Sequence, residues 1–459
     1  MMNVPLRSPR RSRASWAPVV VLLGAIVAAL GVAVSQDPTT SVIAAAVIVA
    51  PFLLYFLVTR PLFALAVTNS VHAYSIDLGG GFVSPYKISF ALAILTTAYH
   101  VRKRGSLLPL PRGFSVAMLA FTMLVILGEV FAEYESSPMV LVEFGSSLLT
   151  FLMASQLIEK TSDGWVLAKV NVLNLLLVTV TVLRDGSWSM LEGNMSRASG
   201  IIGQPNALGI FAANILPFAF ALLVTRTTQT RWRVVGFIGI LASVYCQWGA
   251  ASRGGASAAV AATVIFAWMA GRTLSRRVLA IGTAVLAINL AVMVAPASFT
   301  RVTDTFSAGA QGGTIDTSER ADHVALGAEM FPHHPWLGHG FSAFGYERSR
   351  TTGSLGQSLH SAIFAVLVSY GVFAGILFVL MPVAGMFRVL SRRDTSPDRL
   401  VGVAAAAAVG GAFIASISGS NIFGSENWSN IAICYILALR IDETNDASAR
   451  RARQPAATP

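Results

Sequence analysis

Apolar stretches long enough to cross a lipid bilayer follow one another along almost the whole chain, joined by short polar links. A helix needs about 20 predominantly apolar residues to span the hydrocarbon layer. Spans are read at Ala17–Val34, Ser41–Val58, Pro61–Ala73, Ser84–His100, Phe114–Phe131, Met139–Ile158 and Trp165–Leu183. They continue at Ala207–Thr225, Val234–Trp248, Ala256–Gly271, Val278–Val294, Ser361–Phe387, Val401–Ile417 and Ile431–Leu439, with the third and the last the shortest. The pattern predicts an all-α, polytopic membrane helical bundle of about 12–14 spans.

One link is much longer than the rest. From Ala297 to His360 the chain is polar for roughly sixty residues, more than packing between neighbouring spans requires, and links of that size are usually functional or disordered. Order is expected, because between Thr317 and Phe331 the apolar residues Ala321, Val324, Ala325, Ala328 and Phe331 recur at helical spacing while Glu319, Asp322 and Glu329 fall elsewhere. This predicts an amphipathic helix that rests on its apolar face. Pro332 and Pro335 end it, and Gly338 and Gly340 mark a turn. The link also carries His323, His333, His334, His339 and His360, together with Arg301, Arg320, Arg348 and Arg350, so any chemistry is expected here.

Composition agrees with the span pattern: 54% of the residues are hydrophobic and 12% charged, which excludes a soluble protein. Lys and Arg near span ends mark the cytoplasmic side. With Arg7, Arg10, Arg11 and Arg13 placed inside, alternation puts all but Lys87, Arg184, Arg197, Arg253, Arg301, Arg320, Arg348 and Arg350 of the 33 cations on that side. Both termini are then cytoplasmic. The net charge of +11 becomes a topology signal and an attraction to membrane lipids, with no nucleic-acid partner implied. The chain divides into a basic N-terminus (1–16), a first transmembrane part (17–296), an extracytoplasmic loop (297–360), a second transmembrane part (361–440) and a tail expected to be disordered (441–459). The first span reads as a retained anchor. Abundant Ala, Val, Gly and Arg point to a GC-rich bacterial genome, and the expected location is the bacterial inner (plasma) membrane.

Several polar features lie between or within the spans. HAYSIDLGGGFVSPYK cannot be a continuous helix and reads as a hairpin dipping into the outer leaflet. Glu129, Glu133 and Glu135 read as a solvated rim, whereas Glu143 is deep enough to require a partner or a proton. Asn421, Glu426 and Trp428 are placed in an outer vestibule. Arg197 reads equally as an interfacial cation or an anion ligand. Arg253, between two spans with no room for a loop, points to a bound anion, and Gly254 and Gly255 permit a close approach by a backbone or ligand. The histidines lack the spacing of a zinc site, and Cys246 and Cys434 sit inside spans, so neither a metal nor a disulfide is expected. His360, at the mouth of a span, suits a base or hydrogen-bond donor.

Taken in order, four stations resemble those of the O-antigen ligase and polymerase superfamily of membrane glycan enzymes. They are Arg197 with Gly203, Pro205 and Asn206; Ser252-Arg253-Gly254; Arg320 ahead of Pro335-Trp336-Leu337-Gly338-His339-Gly340; and His360-Ser361 with Gly371. Ser361 stands where the family most often has Asn, and Phe364 where Leu is usual. The resemblance implies a metal-independent transfer, without cofactor, on the outer membrane face. A glycan on a polyprenyl diphosphate would be the donor, and a hydroxyl of a glycan, lipid or protein the acceptor. Arg197, Arg253 and Arg320 would grip the diphosphate and His360 would serve the acceptor hydroxyl, with inversion at the sugar carbon. A glycan flippase and a non-catalytic envelope-assembly component are the alternatives. The enlarged link on one side favours an enzyme over the paired, symmetric halves of a carrier.

Overall fold

The computed structural model describes residues 59–71, 85–132, 134, 138–185, 190–191, 194–195, 198–225, 229–271, 318–352, 361–391, 398–418, 430–440 and 443. In chain order the helices are α1 (Pro61–Val71), α2 (Pro85–Arg104), α3 (Arg112–Val130), α4 (Pro138–Leu157), α5 (Gly164–Asp185), α6 (Pro205–Val224), α7 (Thr230–Ala250) and α8 (Arg253–Ala270). They are followed by α9 (Ser318–Met330), α10 (Ala343–Thr352), α11 (Ala362–Ser391), α12 (Arg399–Ser418) and α13 (Asn430–Arg440). A two-residue antiparallel pair, Met190–Leu191 with Asn194–Met195, departs from pure helix. The protein is thus an all-α polytopic membrane protein. Every expected span within the described residues is a helix, and six helices among them are long and apolar enough to cross a membrane. The spans Ala17–Val34, Ser41–Val58 and Val278–Val294, the hairpin region 72–84 and the vestibule residues Asn421, Glu426 and Trp428 lie outside the described residues.

Between helices in lipid there is little hydrophobic drive, so close van der Waals approach of small residues holds them together. α6 packs on α7, α8 and α12, and α8 also packs on α12. Ala404 to Ala408 of α12 are fully buried. A Cβ on Gly411 would stand 2.8 Å from the Ala258 carbonyl oxygen, and one on Gly255 2.7 Å from the Gly209 backbone. The close approach that Gly254 and Gly255 allow is therefore used, at least at Gly255, by the backbone of α6. Gln247 reinforces the crossing by donating to the Gly209 carbonyl at 2.6 Å.

At the arginine-rich end, polar side chains tie helix termini together. Arg104 donates to the Gln156 carbonyl (2.9 Å) and side chain (2.8 Å) and pairs with Glu159 at 3.1 Å. Arg440 donates to the Ile158 carbonyl at 3.1 Å and Arg399 to that of Met269 at 2.8 Å. These carbonyls close α4 and α8, where the helix dipole favours a cation. Asp398 accepts from the Trp165 indole (2.9 Å) and the Thr161 hydroxyl (3.0 Å), beside the start of α5.

Substituting Gly255→Val is expected to force α6 and α8 apart at about 1–3 kcal/mol. A lowered thermal unfolding midpoint in detergent would report it, and an unchanged midpoint would show that the helices do not cross there.

Candidate functional site

At the other end of the bundle one span is broken. α11 carries Gly371 at φ 80° and ψ 178°, a conformation that ends a helix and that favours glycine. In an unbroken helix the amide of Val372 would donate to the carbonyl of Val368. Instead Val372 donates to the Pro335 carbonyl at 2.8 Å, and the Val368 carbonyl accepts from the amide of His339 at 3.0 Å. The next carbonyl, of Ser369, accepts from Gly340 at 2.9 Å. The segment Pro335–Gly340 is thus spliced into the helix's own hydrogen-bond ladder. Gly338 (φ 72°) and Gly340 (φ 85°) let it turn back, as their sequence positions suggest. A Cβ on Gly338 would overlap the Ser369 carbonyl, and one on Gly371 that of Trp336.

α3 closes the junction from the third side. Gly128 lets Tyr370 and the Leu337 carbonyl approach closely, with 2.8 Å and 3.0 Å to a hypothetical Cβ. Glu129 follows it, and its Oε1 accepts from the Tyr370 hydroxyl and the Phe341 amide, each at 3.0 Å. Only 6% of Glu129 is exposed. The expectation of a solvated rim is therefore wrong for this residue. The sequence signal against it was that Val130, Phe131 and Ala132 continue the apolar run, so the carboxylate lies inside the span end and needs donors.

α9 is an ordered helix, as expected, and it packs on α11, but the face it buries differs from the expectation. Val324, Ala325 and Ala328 are exposed, Val324 at 52%, while His323, Gly327 and Met330 are buried. The His323 ring meets Phe344 of α10 edge-on at 5.5 Å. The apolar stripe was read by hydropathy, whereas the buried face is the one whose His323 ring meets Phe344. His339 is buried as well, with Nε2 2.8 Å from the Met330 carbonyl. Among the described residues no group of His, Cys, Asp or Glu is arranged to hold a metal ion.

α10 is anchored to the chain that follows α3. The Tyr134 hydroxyl donates to Glu347, the Tyr134 ring stacks on Tyr346 at 5.3 Å, and Arg350 pairs with Glu347 at 3.0 Å. Hydrogen bonding from Tyr134, with Arg350 adding to it, holds the Glu347 carboxyl below its ordinary range despite some desolvation. Of these residues sequence reasoning singled out Arg350 alone.

The four residues expected to act fall unevenly. Arg197 and His360 lie outside the described residues. For Arg253 and Arg320 the backbone is described, in the first turns of α8 and α9 respectively. Their neighbours are informative. Ala198, directly after Arg197, donates to the Gly249 carbonyl at 2.8 Å, four residues before Arg253, so two of the sequence stations meet at the end of α7. Ser252 caps α8 by accepting from the Gly255 amide at 3.1 Å. Ser361, directly after His360, does the same for α11, accepting from the Phe364 amide at 3.4 Å. Ser and Asn are equivalent helix caps, which gives Ser361 a structural reason to replace the family's usual Asn.

Residues 238–379 match the family model described as O-Antigen ligase, which supports the resemblance of this part of the chain to the O-antigen ligase and polymerase superfamily. The match takes in Arg253, Arg320, the segment Pro335–Gly340, His360 and Gly371, and leaves Arg197 outside. None of the curated proteins matches the chain.

Two outcomes are expected from this geometry. Replacing Gly371 by Ala should cost about 1–3 kcal/mol through the left-handed backbone alone, with more from the overlap at Trp336, lowering the melting midpoint in detergent; wild-type melting would mean that the break is absent. For Glu347, a carboxyl depressed in the folded state stabilises above its unfolded value, 4.5, and that contribution is lost as pH falls through the folded value. Acid lability of the α10 region, followed by hydrogen exchange between pH 7 and 3, should therefore begin at higher pH in Tyr134→Phe than in the wild type.

Proposed function

We propose, with the O-antigen ligase domain as premise, that the chain is a glycosyltransferase working on the extracytoplasmic face of the bacterial inner membrane. It takes a glycan from a polyprenyl diphosphate and joins it to an acceptor hydroxyl on a glycan, lipid or protein. The acceptor oxygen attacks the sugar carbon that bears the diphosphate, the bond to the diphosphate oxygen breaks, and one displacement inverts that carbon. His360 takes the hydroxyl proton. Arg197, Arg253 and Arg320 bind the diphosphate, because guanidinium forks match its oxygens bidentately and neutralise charge as it departs. In this assignment neither a metal nor a cofactor takes part.

The observation that carries the reading is the splice of Pro335–Gly340 into α11. It makes one device of two separate sequence stations, holding the segment that follows the Arg320 helix against the arm that His360 precedes. The hydrogen bond from Ala198 to Gly249 supports a shared location for the Arg197 and Arg253 stations.

The test uses the full chain in cells lacking their own copy of the gene. His360→Ala should lower glycan transfer by roughly 10²–10⁴-fold with normal membrane abundance, and Arg253→Lys should weaken it through loss of the bidentate fork. Mass analysis of the carrier-linked glycans that accumulate then separates the outcomes. Single repeat units on the carrier indicate polymerisation, long chains indicate ligation, and an unchanged lipid pool would remove the transferase reading in favour of a carrier or scaffold.

A further inference from the structure

We infer that Glu129 is a positioning residue for this reaction, the latch that holds the arm of α11 behind His360 in its working direction. The inference rests on the transferase reading above, and its geometry stands apart from the four residues assigned there. Breaking a helix at Gly371 leaves the arm Ala362–Tyr370 without its normal continuation, so its direction is set by whatever binds the exposed rungs. Those rungs are taken by Pro335–Gly340 through three backbone hydrogen bonds. Backbone bonds fix the spacing of the two strands of chain and do little to fix the tilt of the pair relative to the bundle.

Glu129 supplies that reference. Through one oxygen it accepts from Tyr370, the last residue of the arm, and from Phe341, the first residue past the docked segment. Its helix, α3, packs on α11. Both bonded partners lie more than 200 positions away in the chain, at separations of 241 and 212, so nothing local could impose the contact. Tyr370 is fully buried, and Glu129 nearly so. The second oxygen, Oε2, is buried and has no partner among the described residues, so the carboxylate bonds through Oε1 alone. The two accepted bonds therefore need only one acceptor oxygen, which the amide of glutamine also offers. A misplacement of an ångström at a reacting group costs on the order of 100-fold in rate. Tilt of the arm is thus a catalytic variable even though Glu129 touches no substrate.

The experiment uses the full chain, purified and reconstituted in liposomes, with the carrier-linked glycans extracted from cells lacking the gene as donor. Glu129→Ala should lower kcat by roughly 10- to 100-fold with KM for that donor within about twofold, and should speed hydrogen exchange at the His339 and Gly340 amides. Glu129→Gln should restore kcat and protection. Tyr370→Phe, which removes one donor and no volume, should give a smaller loss of the same kind. Should Glu129→Ala fail to fold, Tyr370→Phe decides alone, and wild-type kcat and exchange in it overturn the inference. Wild-type kcat in Glu129→Ala overturns it, as does Glu129→Gln no faster than Glu129→Ala, which would show that charge and not geometry is used. His360→Ala run beside them keeps the two claims apart. Full activity there would sink the transferase reading, and exchange at His339 would still test the latch.

Discussion

The exchange of hydrogen-bond partners at Gly371 is the constraint from which the candidate site follows. A span cannot leave amides and carbonyls unsatisfied where water is scarce, so irregular backbone survives there only when other protein covers it. Pro335 and His339 are four residues apart, like Val368 and Val372, and they take over the missing rung from either side. The break thus requires the docked segment. The segment in turn requires the glycines at 338 and 371, since a Cβ on either would overlap the opposing backbone. A polar loop is thereby tied to a membrane helix by three backbone hydrogen bonds.

The rest of the bundle serves as a rigid frame for that junction. Small residues bring α6, α8 and α12 into backbone contact, so the starts of α6 and α8 cannot shift independently. At the opposite end, guanidinium groups close helix C-termini and Asp398 bridges toward α5. Arginines at the ends of the spans thus also finish neighbouring helices. This use explains why Arg440 and Arg104 are drawn into the structure and are not simply solvated.

The family match covers both halves of the spliced junction and two of the arginine positions in one stretch of chain. A departure at the residue after His360 looks damaging when only the letters are compared. As a helix cap the hydroxyl performs the function that an Asn amide would, and the start of α11 is preserved.

Much of this was legible in the sequence, and the reason is that burial in lipid acts on each residue separately. The described spans, the ordered helix Ser318–Met330 and the turn at Gly338 and Gly340 could be read from local composition and spacing, and Gly371 was marked by the family resemblance. The buried face of that helix and the role of Glu129 could not. Hydropathy put Val324 inward and Glu129 outward, and both were reversed by partners hundreds of positions away or by contact with a neighbouring ring. The sequence by itself determined which segments enter the membrane, because transfer free energy sums over a window of residues. Only the tertiary structure decided which carbonyl meets which amide across the break, because hydrogen bonding depends on direction and distance between segments that the chain does not keep close.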